Sequence, residues 1–316
     1  MSKKIQHKTK KTSSPLYQGN PRQLPIFDRN SKSIVKEKPY PRLAQFMWRQ
    51  PLGSAVTELL LKHPQASWLT GLWCNCRYSR MHIARFVKQN SIRVQECEKS
   101  PDQFTSFNDF FTRKLKPHAR PINKNPQALI SPADCRMLAY PIGNNTVVPI
   151  KGKTIRVEKL LQAHKAAQPF HEGLCIVCRL AVSDYHRFCY VDDCRHGEIQ
   201  KINGFYRAVH PLSLKNMKDV FCENRRQLTL LHTKYFGLVA HVDVGALLVG
   251  KIKQHFLQGT QAHKGQEKGF FEFGASTIIL LLQPNRVHID TDITQNTQRG
   301  IETRVLYGER IGTAIA

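Results

Sequence analysis

The sequence predicts an α+β protein in which a helical N-terminal region precedes a mostly antiparallel, β-rich core. Three observations lead there. Apolar residues recur at helical spacing between about Pro51 and Lys116. After about Ile130 the pattern changes to short β-rich runs separated by Gly, Pro, Asn and Asp clusters. Further on, Lys264–Leu282 reads KGQEKGFFEFGASTIILLL, a Gly-rich aromatic approach and a small-residue turn followed by an apolar strand.

In chain order, residues 1–40 form a basic arm rich in Lys, Ser and Pro, with no acidic residue before Asp28, and this composition predicts disorder in the free chain. Residues 41–122 form the helical region, read as membrane-associating. Leu52, Val56, Leu59 and Leu60 mark one helix; Met81, Ala84 and Val87 mark a second that also carries Arg80, Arg85 and Lys88. A basic amphipathic helix of this kind either packs its stripe on a core or lies on a membrane, and the pattern alone favours the core. Residues 123–316 form the β-rich core. Strands are expected at Met137–Tyr140, Thr146–Val148, Leu174–Val182, Leu228–Leu231, Gly237–Val244 and Thr277–Leu282.

The charge balance narrows the partners. Lys and Arg number 48 against 23 Asp and Glu, a formal net charge of +25, which calls for a polyanion. Nucleic acid and an anionic bilayer both qualify. The absence of a familiar nucleic-acid motif and the dispersed basic residues disfavour nucleic acid. No segment reaches the roughly 20 apolar residues that span a bilayer, so membrane contact is expected to be peripheral. Nine cysteines, with no N-terminal apolar stretch and cleavage site, point to a reducing cytosol rather than a disulfide framework. Cys175 and Cys178 form a lone CxxC within a strand, where residues three apart face opposite ways, so no metal site is expected.

Three stretches carry candidate chemistry. Ser276 sits at the turn before the apolar strand, where its hydroxyl can be held against the preceding carbonyl for an intramolecular acyl shift, although spacing alone reads as a hairpin turn. Ser131-Pro132-Ala133-Asp134 delivers a carboxylate that either orients a histidine or closes an Asx turn. Asp184-Tyr185-His186-Arg187 offers a histidine at a strand end, either a proton shuttle or a structural residue.

Together and in this order, these stretches resemble the phosphatidylserine decarboxylase family. FNDFFTRKLKPHARPI at Phe107–Ile122 looks like the family's entry motif and SPAD at Ser131–Asp134 like its acidic loop. DYHR at Asp184–Arg187, the F-x-x-N-x-R spacing at Phe221–Arg226, VGALLVGKI at Val244–Ile252 and KGQEKGFFEFGAST before the strand follow in the family's order.

The resemblance implies a proenzyme that cuts itself between Ala275 and Ser276, turning Ser276 into a covalent pyruvoyl group. It implies that Asp134 belongs to the self-cleavage machinery and that His186 serves decarboxylation and proton transfer. Phosphatidylserine would then lose CO₂ through a Schiff base with the pyruvoyl, giving phosphatidylethanolamine. The large and small chains are expected to stay associated, with a homodimer of cleaved pairs, peripheral on the cytoplasmic face of a bacterial cell membrane.

Three positions depart from the family pattern, the least consequential being Cys135, which follows the SPAD aspartate where Gly is common. Ala275 stands where Gly usually precedes the serine, and Ala resists positive φ. Cys189 stands where many members carry a second histidine, which leaves the base for self-cleavage open among Cys189, His210 and His232. Two rival readings remain: an uncleaved, non-enzymatic binder of anionic lipid with the same fold, and a basic nucleic-acid-binding protein.

Overall fold

Five of the six expected strand runs join one ten-stranded sheet that carries the site, and the run at Thr146–Val148 falls in a separate two-stranded sheet. The structure, a computed structural model, describes residues 24–37, 53, 56–57, 62–143, 146–150, 153–207, 219–247, 251–274 and 276–315. Ala275, His210, the Leu52, Leu59 and Leu60 positions and most of the basic arm lie outside the described residues. The strands are β1 (Pro25–Asp28), β2 (Ser33–Lys36), β3 (Ala128–Ile130), β4 (Cys135–Pro141), β5 (Val147–Ile150) and β6 (Lys153–Arg156). They continue with β7 (Leu174–Leu180), β8 (Arg187–Cys189), β9 (Cys194–Ile202), β10 (Arg226–Thr233), β11 (Leu238–Gly245) and β12 (Ile252–Gln254). The last six are β13 (Gln261–Ala262), β14 (Glu267–Phe271), β15 (Ser276–Leu282), β16 (Val287–Ile289), β17 (Glu302–Val305) and β18 (Arg310–Ala314).

The main sheet runs β13-β9-β10-β11-β15-β7-β4-β17-β1-β2. Its pairs are antiparallel except β1 with β17. β15 lies in the interior, with Ser276 opposite Gly245 on β11 and Leu180 on β7. All seven of its residues are buried. Ile278, Leu280 and Leu282 enter one core with Ile176, Met137 and Phe188, while Ile279 and Leu281 enter the other with Val177, Val242 and Phe170. A strand covered on both faces reads as a continuous apolar run, which is why STIILLL shows no alternation. The strands flanking β15 put the two cysteines of the CxxC to the same test: Cys178 enters the first core and Cys175 the second, and all nine cysteines are free.

A second sheet, β12-β14-β8, covers the Ser276 face of the main sheet. A fully buried ion pair fastens it there: Lys268 Nζ on β14 lies 3.0 Å from Asp243 Oδ2 on β11. Gln254 on β12 donates to the same carboxylate oxygen at 2.8 Å and to Gln227 on β10 at 2.9 Å. A buried charge needs such partners, because leaving one uncompensated costs far more than the pair itself gains.

The N-terminal region contributes α1 (Pro64–Asn75), a 3₁₀ turn (Arg77–His82), α2 (Ile83–Asn90) and α3 (Phe107–Phe111). α1 opens with Pro64, whose missing N–H is no loss in the first turn. α2 ends where Ser91 turns left-handed at φ 51°. Ser106 caps α3 by accepting from the Asp109 N–H at 3.1 Å. Cys74, Ile83, Phe104, Phe107, Phe110 and Phe111 form this region's own core. The expected Met81, Ala84 and Val87 stripe is only partly right. Met81 and Ala84 face solvent, and Ile83, Phe86 and Val87 pack inward, because the 3₁₀ turn resets the helical phase before Ile83.

Within the span expected to be a disordered arm, residues 24–37 instead form the β1–β2 hairpin at the sheet edge. Composition missed it because the ordering partners are distant. Arg29 pairs with Asp290 at 2.7 Å, Asp292 at 2.7 Å and Glu309 at 3.0 Å. Glu37 lies 3.0 Å from both Arg136 and Arg179.

Burial of a Leu or Ile side chain contributes about 1.5–3 kcal/mol, so the five aliphatic residues Ile278–Leu282 form a strong anchor for β15. Leu280→Ala is expected to cost about 2–5 kcal/mol in urea unfolding; a loss under about 1 kcal/mol would contradict this anchoring.

Candidate active site

Ser276 enters the site as the first residue of β15, fully buried. Its Oγ lies 3.4 Å from Nδ1 of His186, which is also fully buried. The tautomer follows from the other side of the ring. His186 Nε2 lies 3.0 Å from the Ala181 carbonyl oxygen, which can only accept, so Nε2 carries the proton and Nδ1 turns its lone pair to Ser276. Burial, reinforced by the Arg113 guanidinium, pushes the imidazole down to about 3, so it is a neutral base across the physiological range.

The DYHR loop holds this geometry from within. The Asp184 N–H donates to Ala181 O at 2.8 Å, and the Ala181 N–H returns a bond to Asp184 Oδ2 at 2.7 Å. Arg136 completes the anchorage of Asp184 through a buried ion pair. The carbonyl that orients His186 is thus itself fixed by the aspartate two residues before it.

α3 supplies the opposite wall. The Phe111 ring centroid lies 4.2 Å from that of His186, and Phe273 packs edge-on against Phe107 and Phe111 at 5.2 Å each. The Phe273 N–H donates to Asn108 Oδ1 at 3.0 Å, and Asn108 is held by Asn75 at 3.0 Å. The FNDFF helix therefore clamps the chain just before the Ser276 turn. Positive φ is found there at Gly274, φ 139°, a conformation open to glycine and strained for other residues.

The remaining expected residues stand elsewhere. Asp134 does not bond to His186: its carboxylate accepts from Arg120 Nε at 2.8 Å and Nη2 at 2.6 Å, and from the Tyr307 N–H at 2.8 Å. Cys189 is buried, its Sγ 3.7 Å from the Ser131 carbonyl oxygen to which it donates, and its N–H donates to Pro132 O at 2.9 Å. Burial raises its thiol far above the usual range, which holds it protonated in this environment. His232 is exposed near the far end of β10, opposite Leu238, whereas Ser276 pairs with Gly245 at the other end of β11. At about 3.3 Å per residue, that is some 20 Å along the strands.

Sequence reasoning passed over Asp184, Asn108, Phe111 and Arg113, although all four lie inside the quoted DYHR and FNDFFTR motifs. Membership of those motifs was the available signal; the individual roles depend on contacts across the fold. Among the described residues, no group of His, Cys, Asp and Glu is arranged to hold a metal ion.

Comparison with known proteins places this geometry in a family. Residues 107–313 match the family model for phosphatidylserine decarboxylase. The chain is 39% identical over 291 residues to the phosphatidylserine decarboxylase proenzyme of Clostridium perfringens, covering 92% of this chain and 99% of that protein. It is 39% identical to the proenzyme of Clostridium novyi over 294 residues, covering 92% and 100%, and 40% identical to that of Chlamydia caviae over 297 residues, covering 93% and 99%. Similarity at this level along almost the whole length makes the chain a member of the phosphatidylserine decarboxylase family, and its FNDFF and DYHR segments lie beside Ser276.

Proposed function

We propose that the chain is a phosphatidylserine decarboxylase that makes its own pyruvoyl group from Ser276, releasing CO₂ and phosphatidylethanolamine. The observation that carries this reading is the Ser276 hydroxyl facing the unprotonated Nδ1 of a neutral, buried His186. His186 takes the Oγ proton as Oγ attacks the carbonyl carbon of residue 275. The C–N bond breaks, nitrogen takes up a proton, and an ester joins residue 275 to Ser276. Loss of the Ser276 Cα proton then expels the ester oxygen with its electron pair, leaving a carboxylate on residue 275 and a dehydroalanine. Water replaces nitrogen as ammonia, and the pyruvoyl group remains.

The site fits that group: its precursor begins a rigid, doubly covered strand, with an apolar wall from Phe111 and the free Nδ1 of a neutral imidazole at hydrogen-bond range. The ketone supplies the electron sink for decarboxylation. The chain's own residues do the rest. Phe111 and Phe273 limit water, and His186 holds and returns protons at Nδ1.

A membrane-bound substrate requires a membrane-facing surface, and α1 with the 3₁₀ turn offers one. Trp68, Leu69, Leu72, Trp73, Tyr78 and Met81 are more than half exposed, with Tyr78 at 81%, and Arg77, Arg80, Arg85 and Lys88 surround them. Exposed Trp and Tyr bordered by cations suit the interface of an anionic bilayer. Among the described residues no helix is long and apolar enough to cross a membrane. We therefore place the protein peripherally on such a bilayer.

Intact mass of the purified protein is expected to show a small chain beginning with pyruvoyl in place of Ser276, while a single uncut mass, persisting with anionic liposomes, would favour a non-enzymatic lipid binder. Ser276→Ala should abolish cleavage and His186→Ala should slow it about 10²-fold or more, whereas Cys189→Ser should stay within about threefold of the parent. A Cys189→Ser loss as deep as that of His186→Ala would make the thiol the base instead.

Because the His186 imidazole is depressed to about 3, its basic form persists above that value. Cleavage followed by gel band intensity should be flat from about pH 5 to 8 and fall only in strong acid; a tenfold drop per unit beginning near 6.5 would indicate an ordinary histidine. Trp68→Ala with Trp73→Ala should weaken co-sedimentation with phosphatidylserine vesicles at least about tenfold and leave chain cleavage unchanged; unchanged sedimentation would remove α1 from the membrane face.

A further inference from the structure

Beside His186 lies a buried cation with no ion-pair partner among the described residues. Arg113, two residues past α3, is only 5% exposed. Nη2 donates to the Asp184 carbonyl oxygen at 3.4 Å, and the guanidinium carbon sits 5.1 Å from the centre of the Phe110 ring. Nε and Nη1 have no hydrogen-bond acceptor among the described residues. The neighbouring carboxylates are committed elsewhere: Asp134 to Arg120 and the Tyr307 N–H, Asp184 to Arg136 and the Ala181 N–H. The Cys97 thiol alongside shares a hydrogen bond with the guanidinium, but burial raises its pKa, so it supplies no negative charge.

Arginine remains charged at any ordinary pH, and its guanidinium is shaped to meet planar, paired oxygens. Burial without a partner charge is unfavourable unless something else meets it. The Arg113 field already acts on His186, and its Nη2 contact is to the carbonyl two residues before that histidine. Phe111, on the adjoining helix, touches the His186 ring.

We propose that Arg113 is the receptor for a carboxylate at the Ser276 centre, presenting its free N–H donors at Nε and Nη1. The proposal rests on the self-cleaving decarboxylase reading, because that chemistry brings two carboxylates to this place. One is released on residue 275 when the Cβ–Oγ bond of the ester breaks and the electron pair stays on oxygen. Arg113 then favours departure of that group, and the donors are idle until the anion forms. The other is the carboxylate of the substrate head group, which Arg113 would hold before CO₂ leaves.

Arg113→Gln removes the charge while retaining a polar side chain, and two readings of the full-length protein separate the sources. In the first, the purified proenzyme is denatured in hydroxylamine, which cuts esters. An accumulated ester gives a small chain beginning with serine at residue 276, at least about fivefold more abundant than in the parent, and assigns Arg113 to the departing carboxylate. In the second, any mature protein is assayed on phosphatidylserine in mixed micelles; a KM raised about tenfold or more with kcat little changed assigns it to the substrate. Should Arg113→Gln lose the parent's circular dichroism, Arg113→Lys takes its place in both readings. Ester yield and KM both within twofold of the parent overturn the proposal. A parent that itself remains uncut overturns the self-cleavage reading, and is distinguished by appearing before any substitution is made.

Discussion

The geometry around Ser276 depends on one constraint, that β15 is held along both edges by β11 and β7 and covered on both faces by apolar cores. A serine at the first residue of such a strand has its backbone fixed by the sheet register, opposite Gly245 and Leu180. Its hydroxyl can then be aimed by everything built around it. The same burial explains how a chain cut before Ser276 would remain one molecule: the strand has no aqueous state that costs little. Arg29 strengthens that attachment, because its partners Asp290, Asp292 and Glu309 all lie after the junction while Arg29 lies far before it.

Around this fixed serine, polarity is distributed so that the imidazole is neutral and oriented. The Ala181 carbonyl fixes the proton on Nε2, Asp184 fixes the carbonyl, and Arg136 fixes Asp184. Arg136 and Arg179 both meet Glu37, and Arg179 also meets Glu302 with Nε–Oε1 at 3.1 Å, so the chain of charges continues from the loop to the N-terminal hairpin. Each arginine in this network has a carboxylate partner, whereas Arg113 has none among the described residues. Asp134, despite its place in the SPAD motif, stabilises the Arg120 and Tyr307 corner instead of orienting His186.

The β-rich core was readable because burial on two faces leaves long apolar runs, as at Ile278–Leu282, and because CxxC spacing in a strand forces its cysteines apart. The 24–37 hairpin was not readable. Its strands have four residues each, and Arg29 and Glu37 tie it to partners such as Asp292 and Arg179, far along the chain. The α2 stripe was misphased for a local reason, since a 3₁₀ turn advances by 120° per residue rather than 100° and displaces the face of the helix that follows.

At the site, the sequence by itself determined which residues were available: a serine before an apolar strand, a histidine in DYHR, an acidic SPAD loop and a cysteine at position 189. It could order the motifs and reveal their family resemblance, since both are properties of a string. Tertiary structure decided their roles. Which histidine nitrogen faces Ser276, whether Asp134 or a main-chain carbonyl orients the ring, and whether Cys189 ionises are set by burial and by partners brought together across the sheet. Proton affinity and tautomer depend on the field at a point in space, and a linear sequence does not specify that field until the chain has folded.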